Sequence, residues 1–196
     1  MIALVDYGAG NLRSVESAFA AIGAATARAT DPRALAGAER IVLPGVGHFG
    51  ALASALAVSG LDAALRERLA AGVPFLGICL GMQALYEESD EAPGLPGLGL
   101  LPGRVERLPA GVRVPHMGWS EVRPRPGSRL FEGVPAGARF YFAHGFSCPA
   151  EGATATAFHG RKFAAAVEAG NLWGVQFHPE KSGPEGLRLL ERFVAR

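Results

Sequence analysis

At 196 residues, 49% hydrophobic and 19% charged, the chain has the composition of a folded α/β protein, not of a disordered or fibrous one. A formal net charge of +1 without any arginine or lysine block gives no electrostatic means of capturing nucleic acid or an anionic membrane. No apolar run reaches the roughly eighteen residues that a membrane span needs, and the start, MIALVDYGAG, lacks the basic flank of a signal peptide, so a cytoplasmic protein is expected.

The first half alternates strand and helix. Ile2–Asp6 is a short apolar run, followed by a glycine turn and then by Asn11–Ile22, where apolar residues recur at helical spacing up to a stop at Gly23. Asp31-Pro32 has the form of an N-cap and first-turn proline for a brief helix. Arg40–Leu43 is a buried strand running into Pro44-Gly45-Val46-Gly47. Leu61–Ala71 is amphipathic, and Val73–Ile78 returns as a strand directly before Cys79. Continuous apolar strands separated by helices imply a mostly parallel sheet covered on both faces. Functional loops gather at the carboxyl ends of such strands, and the stretches after Asp6, Leu43 and Ile78 are all glycine-rich. Beyond residue 100 the pattern changes. Arg104–Val122 and Arg139–Glu168 have the Gly and Pro punctuation of antiparallel hairpins, before a last buried strand at Leu172–Phe177 and a closing helix at Pro184–Val194. No internal repeat or linker divides the chain, so one domain over 1–196 is expected.

Cys79 and Cys148 are too few for a disulfide framework, and neither sits in a CxxC pair, so no structural metal and no cofactor is expected. Lysine is confined to Lys162 and Lys181 in a chain rich in arginine, alanine and proline, a pattern common to GC-rich coding and to thermophiles.

Three segments carry chemistry. Gly77-Ile78-Cys79-Leu80-Gly81 is a G-x-C-x-G between a buried strand and a helical segment beginning Met82-Gln83-Ala84-Leu85, the thiol version of a nucleophile elbow. A tight turn of this kind lifts the thiol above the sheet edge and aims it at a helix N-terminus, where partial positive charge favours thiolate. The backbone N–H of Leu80 is then directed at an oxyanion. In Phe177-His178-Pro179-Glu180, residues two apart share a face, and Pro179 holds His178 extended. His178 is thus a base with Glu180 as the carboxylate that fixes its tautomer, and with Cys79 they compose a Cys-His-Glu triad. Pro44-Gly45-Val46-Gly47 lacks the P-loop pattern, but its turn presents Val46 or Gly47 N–H as a second oxyanion donor.

In this order the segments resemble class I, triad-type glutamine amidotransferases. Asp6-Tyr7-Gly8-Ala9-Gly10-Asn11-Leu12-Arg13-Ser14-Val15, Pro115-His116-Met117-Gly118-Trp119, Tyr141-Phe142-Ala143-His144 and Gly174–Ser182 narrow the likeness, over essentially the whole chain, to the glutaminase subunits of imidazole glycerol phosphate synthase. The resemblance implies an α/β, flavodoxin-like glutaminase fold with a smaller antiparallel β region in the second half. It implies hydrolysis of glutamine to glutamate and ammonia, with ammonia passed to a (β/α)₈-barrel cyclase subunit in a heterodimer. That partner makes imidazole glycerol phosphate and aminoimidazole-carboxamide ribotide in histidine biosynthesis. By the same resemblance Gln83 and Glu91 hold the substrate's amino-acid end, and Asn11, Trp119, Tyr141 and Lys181 lie near the partner. Gly145-Phe146 departs from the family, where a small hydroxyl residue and then usually tyrosine are expected. Two other readings stay open here. One is a different triad glutaminase, such as one serving pyridoxal phosphate synthesis, against which DYGAGN and PHMGW argue. The other is a non-catalytic binding protein, against which the intact triad argues.

Overall fold

The computed structural model describes residues 1–9 and 11–195, so Gly10 of the DYGAGN turn and the terminal Arg196 lie outside it. The chain begins with β1 (Ile2–Val5), α1 (Leu12–Ala21), β2 (Thr26–Ala29), α2 (Pro32–Leu35) and β3 (Arg40–Gly45). Two helices, α3 (Phe49–Ser59) and α4 (Leu61–Ala70), then lead to β4 (Phe75–Cys79), the single turn α5 (Leu80–Gln83) and β5 (Tyr86–Ser89). The second half contains β6 (Leu101–Arg107), β7 (His116–Glu121), β8 (Arg123–Pro124), β9 (Arg139–His144) and β10 (Phe146–Ser147). It closes with β11 (Ala155–His159), β12 (Arg161–Ala169), β13 (Leu172–Val175), a 3₁₀ turn at Pro179–Lys181 and α6 (Gly183–Ala195).

Eight strands form the central sheet in the order β2-β1-β3-β4-β13-β12-β11-β8. The first five run parallel and the last three antiparallel. Alternation along each strand feeds two cores. Ala3 and Val5 of β1 and Ile41 and Leu43 of β3 pack with Phe49, Leu52, Leu56 and Leu65 of α3 and α4. Leu4, Val42, Leu76 and Ile78 face the other way, against Val15 and Phe19 of α1 and Leu189 and Phe193 of α6. Each valine, leucine, isoleucine or phenylalanine among them stabilises the fold by roughly 1.5–3 kcal/mol when fully buried. Both faces are covered, as the continuous apolar strands require.

The expected α1, α2 and α4 are present within a residue of their expected limits, and Asp31 Oδ1 caps α2 by accepting from Arg33 and Ala34 N–H at 2.8 and 3.2 Å. Helix α3 and strands β2 and β5 were not legible. Helix α3 is FGALASALAVS, apolar around much of its circumference, so it shows no wet stripe. It meets α4 at an angle of 84°. The expected helix running on from Met82 is corrected: α5 stops after four residues. The carbonyl of Ala84 accepts from Leu98 N–H, and that of Leu85 from Leu100 and Leu101, so the returning 98–101 segment takes the acceptors that a longer helix would use.

The antiparallel region is also arranged differently from two local hairpins. β7 pairs with β9 as a separate two-stranded ribbon, while β6 pairs antiparallel with β10 and parallel with β5. The local hairpins are β11–β12, turning at Gly160 with φ of +72°, and β12–β13, turning at Gly170 with φ of +59°. Among the described residues, no single helix is long and apolar enough to cross a membrane.

Candidate active site

The carboxyl ends of β3, β4 and β13 lie side by side, and each contributes one chemical segment. Cys79 closes β4 with φ of 55° and ψ of −108°, the one non-glycine residue with positive φ among those described. Such a conformation in a residue with a Cβ costs on the order of 1–3 kcal/mol and persists where packing enforces it. Packing here demands glycine on either side. A Cβ on Gly81 would stand 1.8 Å from the Leu43 carbonyl oxygen, and one on Gly77 would stand 2.6 Å from the Gly81 carbonyl oxygen. Gly45, across the sheet register from Cys79, is pinned likewise: its Cβ would meet Gly81 N and Leu80 Cβ, each at 2.7 Å. The elbow is therefore built from β3, β4 and α5 pressed backbone against backbone.

His178 follows β13, held extended before Pro179 with φ of −102° and ψ of 96°. Its Nδ1 lies 2.9 Å from Glu180 Oε1, and both side chains are almost wholly buried. The ring also hydrogen-bonds Cys79, for which Nε2 is the remaining nitrogen. Burial opposes a charge on His178, but the bonds to Cys79 and Glu180 outweigh it and push the imidazole up to about 10. An imidazolium at neutral pH is the partner a thiolate nucleophile needs. Ser182 braces the turn, its hydroxyl donating to the His178 carbonyl at 2.6 Å and accepting from Tyr141 N–H at 3.0 Å.

A cavity of about 170 Å³ opens in front of Cys79, lined by Val46, Gly47, Leu80, Gln83, Glu91 and His178, with Lys181 at its edge. Residues 143–146 form its opposite wall. The sequence-derived triad, oxyanion and substrate residues are thus brought together at one place. Four larger depressions surround the described fold, and of these only the one of about 400 Å³ between α1 and the Pro179–Gly183 turn touches a triad residue, Glu180. Gln83 is buried and spends its amide hydrogens inside the protein, on Phe146 O at 2.9 Å and Gln176 Oε1 at 3.0 Å. Glu91 is tied to the start of α3 by accepting from Phe49 N–H at 2.7 Å. Val46 N–H is directed at the Tyr7 hydroxyl, 3.4 Å away.

Of the four expected partner-side residues, three form a strip. Lys181 Nζ lies 5.8 Å from the Tyr141 ring centre, and Tyr141 meets the exposed Trp119 edge-on at 6.3 Å. Tyr141 also reaches His178, with ring centres 6.5 Å apart. Asn11 stands outside this strip, in a surface depression with Asp6, Gly8 and Arg28.

Sequence reasoning assigned no role to Tyr7, Gln176, Ser182, His116 or His144. Gln176 had a legible signal, since it stands two residues before His178 on an extended chain, and its Nε2 lies 3.7 Å from Cys79 Sγ. The two histidines are buried side by side, His116 Nδ1 lying 3.0 Å from His144 Nε2. Burial holds both neutral, His116 lowered to about 4 and His144 to about 3. In the unfolded chain each takes up its proton near 6.5, so between these values the unfolded state holds more protons than the native one. Stability is therefore fully present above about pH 6.5 and is lost as pH falls toward 3, with His144 alone contributing a slope of up to about 1.4 kcal/mol per pH unit. Urea titrations between pH 7 and pH 4.5 should give a flatter dependence for His144→Asn than for wild type. Parallel curves would assign the acid sensitivity elsewhere.

The family model for class-I glutamine amidotransferases matches residues 3–196. The chain is 49% identical to imidazole glycerol phosphate synthase subunit HisH of Moorella thermoacetica, over 98% of this chain and 93% of that protein. It is 50% identical to the subunit of the same name from Symbiobacterium thermophilum, over 96% and 91%. A crystal structure of a glutamine amidotransferase superposes with a TM-score of 0.78 at 23% identity, covering 99% of this chain and 97% of that one. PurLQS from Thermotoga maritima follows at 0.75 and 20%, with coverage of 99% and 97%. At such identities the superpositions establish the fold, while the sequence relatives establish the closer kinship. The chain belongs to the class-I glutamine amidotransferase family and, within it, to the HisH subunits of imidazole glycerol phosphate synthase.

Proposed function

We propose that the chain hydrolyses the side-chain amide of glutamine at Cys79 and delivers the ammonia to a cyclase subunit. Family membership makes it the glutamine amidotransferase subunit of imidazole glycerol phosphate synthase, in histidine biosynthesis. The observation that carries the residue assignment is the buried 2.9 Å bond from His178 to Glu180, on a ring whose other nitrogen meets a strained Cys79.

Cys79 sulfur attacks the amide carbon of glutamine, forming an S–C bond while the carbonyl oxygen becomes an oxyanion. Leu80 N–H and one N–H from Val46 or Gly47 are the donors assigned to that oxyanion. His178 gives the proton it holds to the departing nitrogen, the C–N bond breaks, and ammonia leaves a glutamyl thioester. Water, deprotonated by His178, then attacks the thioester, and glutamate departs as the thiolate is restored. Glu180 stays ionised and keeps His178 Nε2 directed at the sulfur. Glu91 suits the substrate's α-amino group. Gln83 serves the carboxylate end indirectly, since its amide hydrogens already hold the pocket wall.

The unit acting is 1–196 as a single glutamine amidotransferase domain, in the cytoplasm. Its partner is a (β/α)₈-barrel cyclase in a heterodimer, docked near Trp119, Tyr141 and Lys181, with Asn11 at the margin. Exposed Met117 and Trp119 give that face the apolar surface an interface core requires. No cofactor is assigned.

The roles of His178 and Glu180 are separable. In the complex with the cyclase subunit, Glu180→Gln should lower glutamate release by about 10⁴-fold and His178→Ala by about 10⁶-fold, because orientation is lost in the first and the base in the second. Equal losses in two folded variants would remove the orienting role from Glu180.

A further inference from the structure

We propose that His116 is a positioning residue for the pocket in front of Cys79: through its hydrogen bond to His144 it sets the turn whose Phe146 carbonyl holds Gln83. The inference rests on reading that pocket as the glutamine site.

His116 of β7 and His144 of β9 are directly opposed in the ribbon register. His116 is clamped between rings, stacked on Phe142 at 4.9 Å and on His159 at 4.2 Å. Its hydrogen bonds form a chain with one possible direction. The Phe146 carbonyl only accepts, so His144 Nδ1, 2.7 Å away, carries the proton. In a neutral ring His144 Nε2 is then an acceptor, and His116 Nδ1 must donate to it across 3.0 Å. His116 Nε2 is left as an acceptor for the Ser120 hydroxyl at 2.8 Å. Burial of the pair keeps one proton per ring, which is what makes the direction unique.

The far end of the chain is the pocket. Phe146 O receives Gln83 Nε2 as well as His144, and the second Gln83 hydrogen goes to Gln176, whose Nε2 approaches Cys79 Sγ. Residues 143–146 and Gln83 both line the cavity. A histidine pair needed only to fill the ribbon core has no reason to end on an acceptor shared with a pocket residue. Gly145-Phe146 lies within this turn, directly after His144. His116 supports the turn from the inner face of a strand whose outer face presents Met117 and Trp119.

The test uses the chain in complex with the cyclase subunit. Glutamate release against glutamine concentration is measured for wild type, His116→Leu, His116→Asn and Ser120→Ala. The asparagine amide nitrogen stands near the place of imidazole Nδ1 and can still donate to His144. We expect His116→Leu to raise the glutamine KM about tenfold with kcat within about threefold, and His116→Asn to bring KM back within about threefold of wild type. Nitrogen-15 spectra of the wild type should show the Nδ1–H tautomer for both rings at neutral pH. If His116→Leu does not assemble, Ser120→Ala carries the test: it should disturb the His116 ring-nitrogen signals and raise KM about threefold. An unchanged KM in assembled His116→Leu or, in its place, Ser120→Ala, losses in Leu and Asn variants that are equal and fall on kcat, or Nε2–H tautomers would overturn the assignment. Iodoacetamide alkylation of Cys79 separates the two levels. Failure of glutamine to protect wild-type Cys79 would overturn the reading of the pocket itself. Protection of wild type and of the leucine variant at the same glutamine concentration would overturn only the role of His116.

Discussion

Cys79→Ala is expected to lower glutamine-dependent synthesis by the assembled complex by about 10⁴-fold or more, while synthesis from added ammonium salts stays within about twofold of wild type. The thiol makes few structural contacts. Its sulfur lies 3.9 Å from Ala143 O and 3.7 Å from Gln176 Nε2, both weak bonds, so truncation leaves a small void, and the one strong partner it removes is that of the His178 ring. The conformation strained at φ of 55° is imposed by Gly45, Gly77 and Gly81, which the variant retains. What is lost is the atom that attacks the amide, and no neighbour replaces it. Cys148, the other cysteine, is buried beside Tyr86, and its thiol is held well above the usual range by desolvation. In the proposed function ammonia is consumed by the cyclase chain, so supplying ammonia should bypass the damage. The check is paired assays of one purified complex with glutamine and with ammonium. Equal collapse of both, with the complex intact, would show that Cys79 also serves the acceptor reaction.

The elbow, the His178–Glu180 pair and the β3 turn were legible because each depends on local backbone chemistry: glycines that admit a close approach, and a proline that fixes an extended register. The parallel half of the sheet was legible for a related reason, since strands buried on both faces are continuously apolar. Sequence patterns fail where partners are distant. Val46 N–H finds Tyr7 on another strand end, and His116 finds His144 across a ribbon joined by a long connection. Nothing in the spacing of 116 and 144 marks them as a pair, because the register of β7 against β9 is a tertiary fact. The pairing of β5 with β6 was hidden for the same reason, and α3 was hidden because an all-round apolar helix has no period to read.

The isolated chain should release glutamate about 100–1000-fold more slowly than the complex supplied with the cyclase's nucleotide substrate. That interval is the usual effect of one oxyanion donor. Val46 N–H is engaged with the Tyr7 hydroxyl at 3.4 Å instead of being turned wholly to the space before Cys79. Gly45 is closely packed, since a Cβ there would collide with Leu80 and Gly81. Reorientation is therefore assigned to the peptide between Val46 and Gly47, and Gly47 at φ of +100° tolerates it at little cost. Two orientations of that peptide are expected, one aiming Gly47 N–H at the oxyanion and the other aiming the Val46 carbonyl there, which would repel the developing charge. Lys181 is placed to bias the choice: it borders the same cavity and lies over Tyr141, at the face assigned to the partner. Lys181→Ala should leave His178 and Glu180 in place and weaken stimulation by the partner more than it weakens basal hydrolysis. Steady-state glutaminase assays alone, with cyclase, and with cyclase plus nucleotide decide between the two states of the turn. Full activity from the isolated wild-type chain would mean that the turn already presents its donor and that the partner acts through another element.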